Sequence, residues 1–263
     1  MRMGFGIRRV AGITLLALVA GCATTGSDEP EKSVAADETR ARAHQSVGTT
    51  HLKEGRVGMA IRELRAAEEL NPRDKWIQLT LAEAYRQKGL NADAEQHLKK
   101  ALALDPNFQD ARLTLSGLYI QTDRFADAVA EAQKLIDDPT FPQPWTALTN
   151  KGWALAQLKR PKEAREALET AIEYNDHYWR AQLNLGILDS EDGKRMEAMD
   201  RFERVLALSP GPLGTAEANF RIAEIYVSLG NRERAVEHLV AATEQRPSGP
   251  WGKRSEDYLK RLR

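Results

Sequence analysis

The sequence predicts an all-α protein, a solenoid of six helix-turn-helix repeats closed by a C-terminal capping helix. Small side chains recur about every 34 residues in two series that stay twelve residues apart. The first series is Gly48, Ala82, Ser116, Gly152, Gly186 and Ala223, and the second is Ala60, Ala94, Ala128, Ala164, Ala198 and Ala235. Such a period is typical of stacked helical hairpins, in which each unit buries its apolar face on its neighbours.

The N-terminal residues 1–21 are expected to form a secretory signal peptide. Three arginines precede an apolar run of eleven residues, from Val10 to Ala20. About 18 residues would be needed to span a bilayer, so a transmembrane helix is not expected. The run ends in Leu18-Val19-Ala20-Gly21-Cys22, which resembles the lipobox of bacterial lipoproteins.

The lipobox resemblance implies cleavage before Cys22 and lipidation of its sulfur and new amino group. The alternative is an ordinary secretion signal with an incidental cysteine. Because Cys22 is the single cysteine of the chain, an internal disulfide is excluded. Residue 23 is Ala and not Asp, which by the sorting rule of such lipoproteins favours the periplasmic face of the outer membrane. We expect attachment to that membrane through the N-terminal lipid anchor.

Residues 22–40 are interpreted as the lipidated cysteine and a flexible tether. The segment from Ala23 to about Asp37 is polar and has no apolar periodicity. After removal of residues 1–21 the chain has 35 basic and 38 acidic residues, a formal charge of about −3. A nearly neutral body gives no support for nucleic-acid binding.

The repeats occupy residues 41–249. Their predicted bounds are 41–74, 75–108, 109–144, 145–178, 179–215 and 216–249. The first helix of a repeat is expected to end at a glycine, and the second to end before a proline. The glycines are Gly55, Gly89, Gly193 and Gly230, and the prolines are Pro72, Pro106, Pro210 and Pro247. Repeat four has Asp176 at the proline position, so its boundary is less well defined.

Two insertions interrupt the period. Residues 138–144 add two positions between repeats three and four, and residues 209–215 add three before repeat six. We expect each insertion to bend the solenoid locally while leaving the stacking intact. Residues 250–263 are predicted to form the capping helix that a terminal repeat requires. Its apolar residues Trp251, Tyr258, Leu259 and Leu262 are expected to face repeat six.

These patterns resemble the tetratricopeptide repeat. The family pattern places small residues at positions 8, 20 and 27, and aromatic or bulky residues at positions 11 and 24. Repeat two carries Ala82, Tyr85, Ala94, Leu98, Ala101 and Pro106, and repeat six carries Ala223, Tyr226, Ala235, Leu239, Ala242 and Pro247. His51 and Asp189 depart from the pattern, because they stand where Tyr is usual. The resemblance implies a right-handed α-solenoid.

No catalytic constellation is present in the sequence. The five histidines, His44, His51, His97, His177 and His238, are scattered over the repeats, and none lies in a metal-binding H-E-x-x-H pattern. Phosphate-binding loops, nucleophile elbows and cysteine pairs are also missing from the sequence. We therefore expect no enzyme activity, metal site or small-molecule substrate, and no cofactor other than a covalent lipid on Cys22.

The tetratricopeptide resemblance implies that positions 2, 5, 9, 12 and 13 of each first helix line a concave face. The apolar residues predicted for this groove are Leu52, Trp76, Leu79, Leu113, Ile120, Trp153, Leu183, Ile187 and Phe220. An apolar stripe in every repeat favours an amphipathic helix or apolar strand of a partner. The alternative is that several of these side chains pack between helices. The groove does not resemble a chaperone-tail clamp, since Gln45 and Thr49 occupy the clamp positions.

A closer resemblance is to the type IV pilus pilotins, the PilF, PilW and Tgl proteins. It rests on an exported lipoprotein with six such repeats, the segment 135–142, Asn150-Lys151-Gly152 and the segment 158–161. The likeness implies binding of secretin subunits and help in their outer-membrane insertion and multimerisation, which type IV pilus assembly and pilus-dependent motility require. Two alternatives stay open, an adaptor that recruits peptidoglycan enzymes and a structural subunit of an outer-membrane assembly machine.

Overall fold

The computed structural model describes residues 29–262, and their side chains from residue 34 onward. The predicted signal peptide and Cys22 lie outside the described residues. The described range contains thirteen α-helices. They are α1 (Glu29–Lys53), α2 (Val57–Leu70), α3 (Lys75–Gln87), α4 (Asn91–Leu104), α5 (Gln109–Gln121), α6 (Phe125–Ile136), α7 (Pro144–Gln157), α8 (Pro161–Tyr174), α9 (Trp179–Glu191), α10 (Arg195–Ala207), α11 (Gly211–Ser228), α12 (Arg232–Gln245) and α13 (Pro250–Leu262).

Helices α1 to α12 form six hairpins, in which each odd-numbered helix packs against the next even-numbered one. The four predicted turn glycines all have positive φ, between 73° and 80°, which confirms the left-handed residue expected there. Repeats three and four reach the same conformation without glycine, at Asp123 (φ 57°) and Lys159 (φ 60°). Residues other than glycine adopt this backbone region less favourably. Repeats three and four therefore keep the turn conformation without the glycine that usually forms it.

The first helices of successive repeats contact one another along the whole array, from α1 through α3, α5, α7, α9 and α11 to α13. Among the described residues, the second helices of successive repeats make no such backbone approach to one another. The even-numbered helices are therefore splayed on the outer surface. The odd-numbered helices line the inner surface, where the groove was predicted.

The small residues lie at the helix crossings, as their period predicted. A Cβ added to Gly48 would approach Leu64 Cγ to 2.7 Å, and one added to Gly152 would approach Leu168 Cγ to 2.6 Å. The six alanines of the second series are fully buried. Larger side chains at these crossings would force the helices apart, because a close-packed interior has no room for extra atoms.

Helix α1 begins at Glu29, inside the segment that we expected to be a flexible tether. That prediction was wrong for residues 29–40, which are helical. Their helix-forming residues, with Pro30 near the start, extend a helix that repeat one already nucleates. Apolar periodicity misses this segment because residues 34–40 are mostly exposed and bury no apolar stripe.

The insertion before repeat six is also different from the prediction. Helix α11 begins at Gly211 and not near residue 216, and it is 18 residues long, whereas α3 and α9 have 13 each. Most of the inserted segment is therefore an additional helical turn. Gly214 on this turn packs against the indole of Trp179, because a Cβ there would lie 3.0 Å from the ring. The other insertion is an irregular connection from which Phe141 packs into a small core with Leu135.

Helix α13 closes the C-terminal end of the array. It packs on α11 and α12, and in this position it takes the place of the first helix of a seventh repeat. Its residues Trp251, Tyr258, Leu259 and Leu262 cover the buried cluster that contains Phe220 and Leu239.

Candidate partner-binding groove

A cavity of about 300 Å³ opens on the inner surface between α5, α7, α9 and α11. We call it the Trp153 pocket. Its apolar lining is Ile120, Trp153, Trp179, Leu183, Ile187 and Leu213, and its polar lining is Thr149, Asn150, Arg180, Asn184 and Glu217. An apolar cavity with a few polar groups is the usual form of a binding site.

The floor of the pocket is fixed by the core beneath it. Leu183 and Ile187 are only 5% and 6% exposed, and they belong to a buried cluster with Phe202. The half-buried indole of Trp153 packs against the same cluster. The floor is therefore rigid, and a partner would meet apolar side chains that are already held in place.

One wall of the pocket is made by the additional turn of α11. Leu213 on this turn is 40% exposed. Trp179, the first residue of α9, is held against Gly214 of the turn, and the Arg180 guanidinium lies 4.5 Å from the centre of the Trp179 ring. The three-residue insertion thus supplies a surface that no other repeat has.

Glu217 is the acidic group of the pocket. Burial raises the pKa of the Glu217 carboxyl above its ordinary value, and the Arg221 guanidinium, 3.8 Å away, opposes this increase. A group whose charged form is disfavoured by burial becomes still less ionised when a ligand covers it. A partner that covers the pocket would therefore raise the pKa of Glu217 further.

The structure places the nine predicted groove residues in four different environments. Ile120, Trp153, Leu183 and Ile187 line the Trp153 pocket. Leu79 and Leu113 are half-buried against neighbouring core clusters, and Trp76 is 48% exposed beside Phe108, with ring centres 4.6 Å apart.

Leu52 was wrongly placed in the accessible groove, and Phe220 is almost fully buried, although its remaining surface lines a cavity between α11 and α13. Leu52 is 8% exposed within the N-terminal core. Phe220 is 5% exposed because α13 covers it, with its ring centre 5.2 Å from that of Trp251. The position pattern of the inner repeats does not predict this burial, because the capping helix packs over the Phe220 ring.

Sequence reasoning missed Trp179, Leu213 and Glu217 as pocket residues. The available signal was the insertion at 209–215, which we interpreted as a bend. Asn150 and Asn184 were also missed, although they are separated by one repeat of 34 residues.

A polar pair inside most repeats was not anticipated either. Residues 19 positions apart, one on each helix of the hairpin, are joined by a side-chain hydrogen bond. The pairs are His44–Glu63 (2.8 Å), Gln78–His97 (2.7 Å), Arg112–Glu131 (2.7 Å), Gln182–Arg201 (3.2 Å) and Asn219–His238 (2.8 Å). Repeat four has the apolar pair Leu148 and Ala167 instead. Three of the five histidines thus stabilise hairpins, and burial lowers the pKa of His97 and His238.

Asp189, the residue that departs from the aromatic pattern, is a buried carboxylate with 2% exposure. Its oxygens lie 2.7 Å from Arg165 of repeat four and 2.6 Å from Arg201 of repeat five. A buried charge is tolerated when it is paired in this way. The junction between these repeats is therefore ionic, whereas the corresponding Tyr85 in repeat two bonds to Arg65 through its hydroxyl.

Within the described residues no group of three His, Cys, Asp or Glu side chains is arranged to bind a metal ion. None of the helices in this part of the chain is both long and apolar enough to cross a bilayer.

Comparison with known families identifies the repeats. Models of the tetratricopeptide repeat match residues 48–107, 86–151, 145–178 and 216–248, which together are more than half of the chain. The chain is a member of the tetratricopeptide-repeat family. Members are typically non-enzymatic scaffolds for protein interaction. The all-α solenoid predicted from the sequence is thereby confirmed.

By sequence the chain is homologous to the type IV pilus assembly protein PilF of Pseudomonas aeruginosa, as the pilotin resemblance predicted. The two are 26% identical over 168 residues, which are 64% of this chain and 67% of PilF. The outer membrane protein assembly factor BamD of Caulobacter vibrioides is 21% identical over 92% of this chain and 77% of its own length.

Solved structures support the fold. The structure of P. aeruginosa PilF superposes with a TM-score of 0.66 at 17% identity, covering 85% of this chain and 99% of PilF. The crystal structure of PilW, a type IV pilus biogenesis factor, gives a TM-score of 0.69 at 20% identity, with 81% and 96% covered.

Proposed function

We propose that this tetratricopeptide-repeat protein is a pilotin, an outer-membrane lipoprotein that binds secretin subunits and promotes their insertion and multimerisation during type IV pilus assembly. Homology to PilF, whose name places it in pilus assembly, supports the pathway. The apolar Trp153 pocket supports the mode of action, since an inner surface with preformed apolar side chains suits an apolar segment of another polypeptide.

The proposed mechanism combines an anchor with a groove. Acyl chains on Cys22 hold the protein at the inner leaflet of the outer membrane, because each buried CH₂ contributes about 0.8 kcal/mol to membrane binding. The groove binds an apolar secretin segment and shields it from aggregation. Because the anchored protein holds the bound secretin subunit at the outer membrane, the effective concentration of secretin subunits rises where they assemble.

Replacement of Cys22 by Ala tests the anchor. We expect the Cys22→Ala chain to leave the outer membrane and the cell to lose heat-stable secretin multimers, pili and pilus-dependent motility. Membrane fractionation and immunoblots of secretin multimers measure this. Restoring attachment by fusing residues 23–263 to the lipobox of another outer-membrane lipoprotein should restore multimers. Normal secretin multimers in cells that have only the unanchored chain would refute the mechanism.

A second candidate is a structural subunit of an outer-membrane assembly machine. The similarity to BamD, which extends over 92% of this chain, favours it. The two functions differ in what copurifies with the protein after crosslinking in cells. A secretin supports the pilotin, and an outer-membrane assembly complex supports the second candidate.

A further inference from the structure

A second cavity of the inner surface lies at its C-terminal end, between α11 and α13. It has a volume of about 330 Å³, and its lining consists of three arginines, Arg221, Arg254 and Arg261, together with Phe220, Tyr258, Glu224 and Asp257. We call it the arginine patch. No residue of the Trp153 pocket belongs to it, and the proposed function above makes no use of it.

The two acidic residues of the arginine patch are already paired. Glu224 lies 3.3 Å from Arg221, and Asp257 lies 3.2 Å from Lys260. Arg254 and Arg261 form no ion pair with a carboxylate among the described residues. Arg221 also lies 3.8 Å from Glu217, so the positive charge that carboxylates of the described residues leave unpaired is that of Arg254 and Arg261.

Two of the guanidinium groups are held in position. Arg254 and Arg221 both stack near the Trp251 ring, at 4.8 Å and 5.0 Å from its centre. The Nε atom of Arg221 is buried and has no hydrogen-bond partner in the described part of the chain. Guanidinium groups fixed by stacking are suited to bind carboxylates, because less side-chain entropy is lost on pairing.

The arginine patch and the Trp153 pocket are adjacent along α11. Glu217 lines the pocket, and Arg221, one helical turn later, lines the patch. One turn of an α-helix advances by about 5.4 Å, so a short partner segment can reach both cavities.

We infer that the arginine patch binds acidic side chains of the same partner segment whose apolar side chain fills the Trp153 pocket. The partner's recognition element is then a bulky apolar residue with Asp or Glu a few residues away. This inference rests on the proposed groove binding and adds the chemistry and orientation of the bound segment. Charge complementarity supports a polypeptide occupant, since an unpaired arginine gains most from a carboxylate.

Two labelled peptides test the inference directly. One twelve-residue peptide has Trp-Leu-Leu followed by four aspartates, and its twin has four asparagines in their place. We expect the aspartate peptide to bind the chain of residues 23–263 about tenfold more tightly at low salt, and the difference to shrink as salt screens the charges. Fluorescence anisotropy measures both affinities. Equal binding of the twins, or no binding of the aspartate peptide, would overturn the inference.

Two neighbouring basic residues supply the matched control. Arg254→Glu and Lys253→Glu change the net charge equally and both residues are exposed, but only Arg254 lines the patch. We expect Arg254→Glu, alone or with Arg261→Glu, to abolish the preference for aspartate, and Lys253→Glu to retain it. If both substitutions lowered the preference for the aspartate peptide equally, the preference would come from net charge and not from the arginine patch, and the inference would be contradicted.

Two further measurements separate the possible failures. If the chain retains full-length secretin in a pulldown and Arg254→Glu does not weaken retention, the inference is wrong and the proposed function stands. If the chain retains no secretin but prefers the aspartate peptide, the proposed function is wrong and the inference stands. Arg254-dependent cosedimentation with phosphatidylglycerol vesicles, without a preference for aspartate, would assign the patch to lipid and overturn the inference.

Discussion

The two halves of the groove are built from the same repeat but differ in regularity. In repeats two and three, Tyr85 and Tyr119 occupy the usual aromatic position, both first helices have 13 residues, and Trp76 projects with 48% exposure. Farther along the array, Asp189 of repeat five replaces the aromatic residue, α11 of repeat six gains a turn, and the Trp153 pocket forms between α5, α7, α9 and α11. The cavity thus lies beside the positions at which the chain departs from its own period.

The largest effect is expected at Asp189. The Asp189→Ala substitution leaves two arginines without their shared buried carboxylate, and such a loss costs about 3 kcal/mol or more of unfolding free energy. Urea denaturation measures it. Asp192→Ala is the matched control, because Asp192 also pairs with Arg165 but is 44% exposed. We expect the control to lose less than about 1 kcal/mol. Similar losses for both variants would mean that burial of the ion pair is not important.

Glycine to alanine substitutions are expected to change stability by a smaller amount, with opposite sign at Gly152 and at Gly117. A Cβ at Gly152 would lie 2.6 Å from Leu168 Cγ, whereas a Cβ at Gly117 would have no atom within 4 Å. Gly152→Ala should therefore lose about 1–3 kcal/mol of stability through overpacking. Gly117→Ala should gain about 0.5–1 kcal/mol through helix propensity. Thermal and urea unfolding check both, and destabilisation by Gly117→Ala would show that its face is packed.

The sequence predicts the repeated helical hairpins well, because the same few physical requirements apply in every repeat. Small residues at helix crossings and glycines in left-handed turns are required in every hairpin, so Gly48 or Gly89 can be interpreted without knowing their neighbours. Features that occur in one repeat alone are harder to predict, because they depend on contacts with distant parts of the chain. The extra turn at Gly211 forms because it packs on Trp179, which lies 32 residues earlier in the sequence. The burial of Phe220 depends on α13, which pattern matching within one repeat does not consider.

The candidate site shows the same division. Four of its residues, Ile120, Trp153, Leu183 and Ile187, follow from position in the repeat. Leu213 and Trp179 do not, because the insertion that joins them has no counterpart in the other repeats. Likewise, the two arginines that pair with Asp189 come from different repeats. The sequence therefore shows an acidic residue at an aromatic position but does not show which side chains neutralise it.

The most direct test of the account compares both halves of the groove in one binding measurement with secretin. Trp153→Ala removes the centre of the pocket, and Leu213→Asp places a charge on its exposed rim. Each should weaken retention of full-length secretin about tenfold or more, as expected for central contact residues, while Trp76→Ala should change it less than threefold. Circular dichroism melting verifies that all three variants are folded. Weak binding by Trp76→Ala, together with normal binding by Leu213→Asp and Trp153→Ala, would contradict the assignment of the site to the C-terminal half.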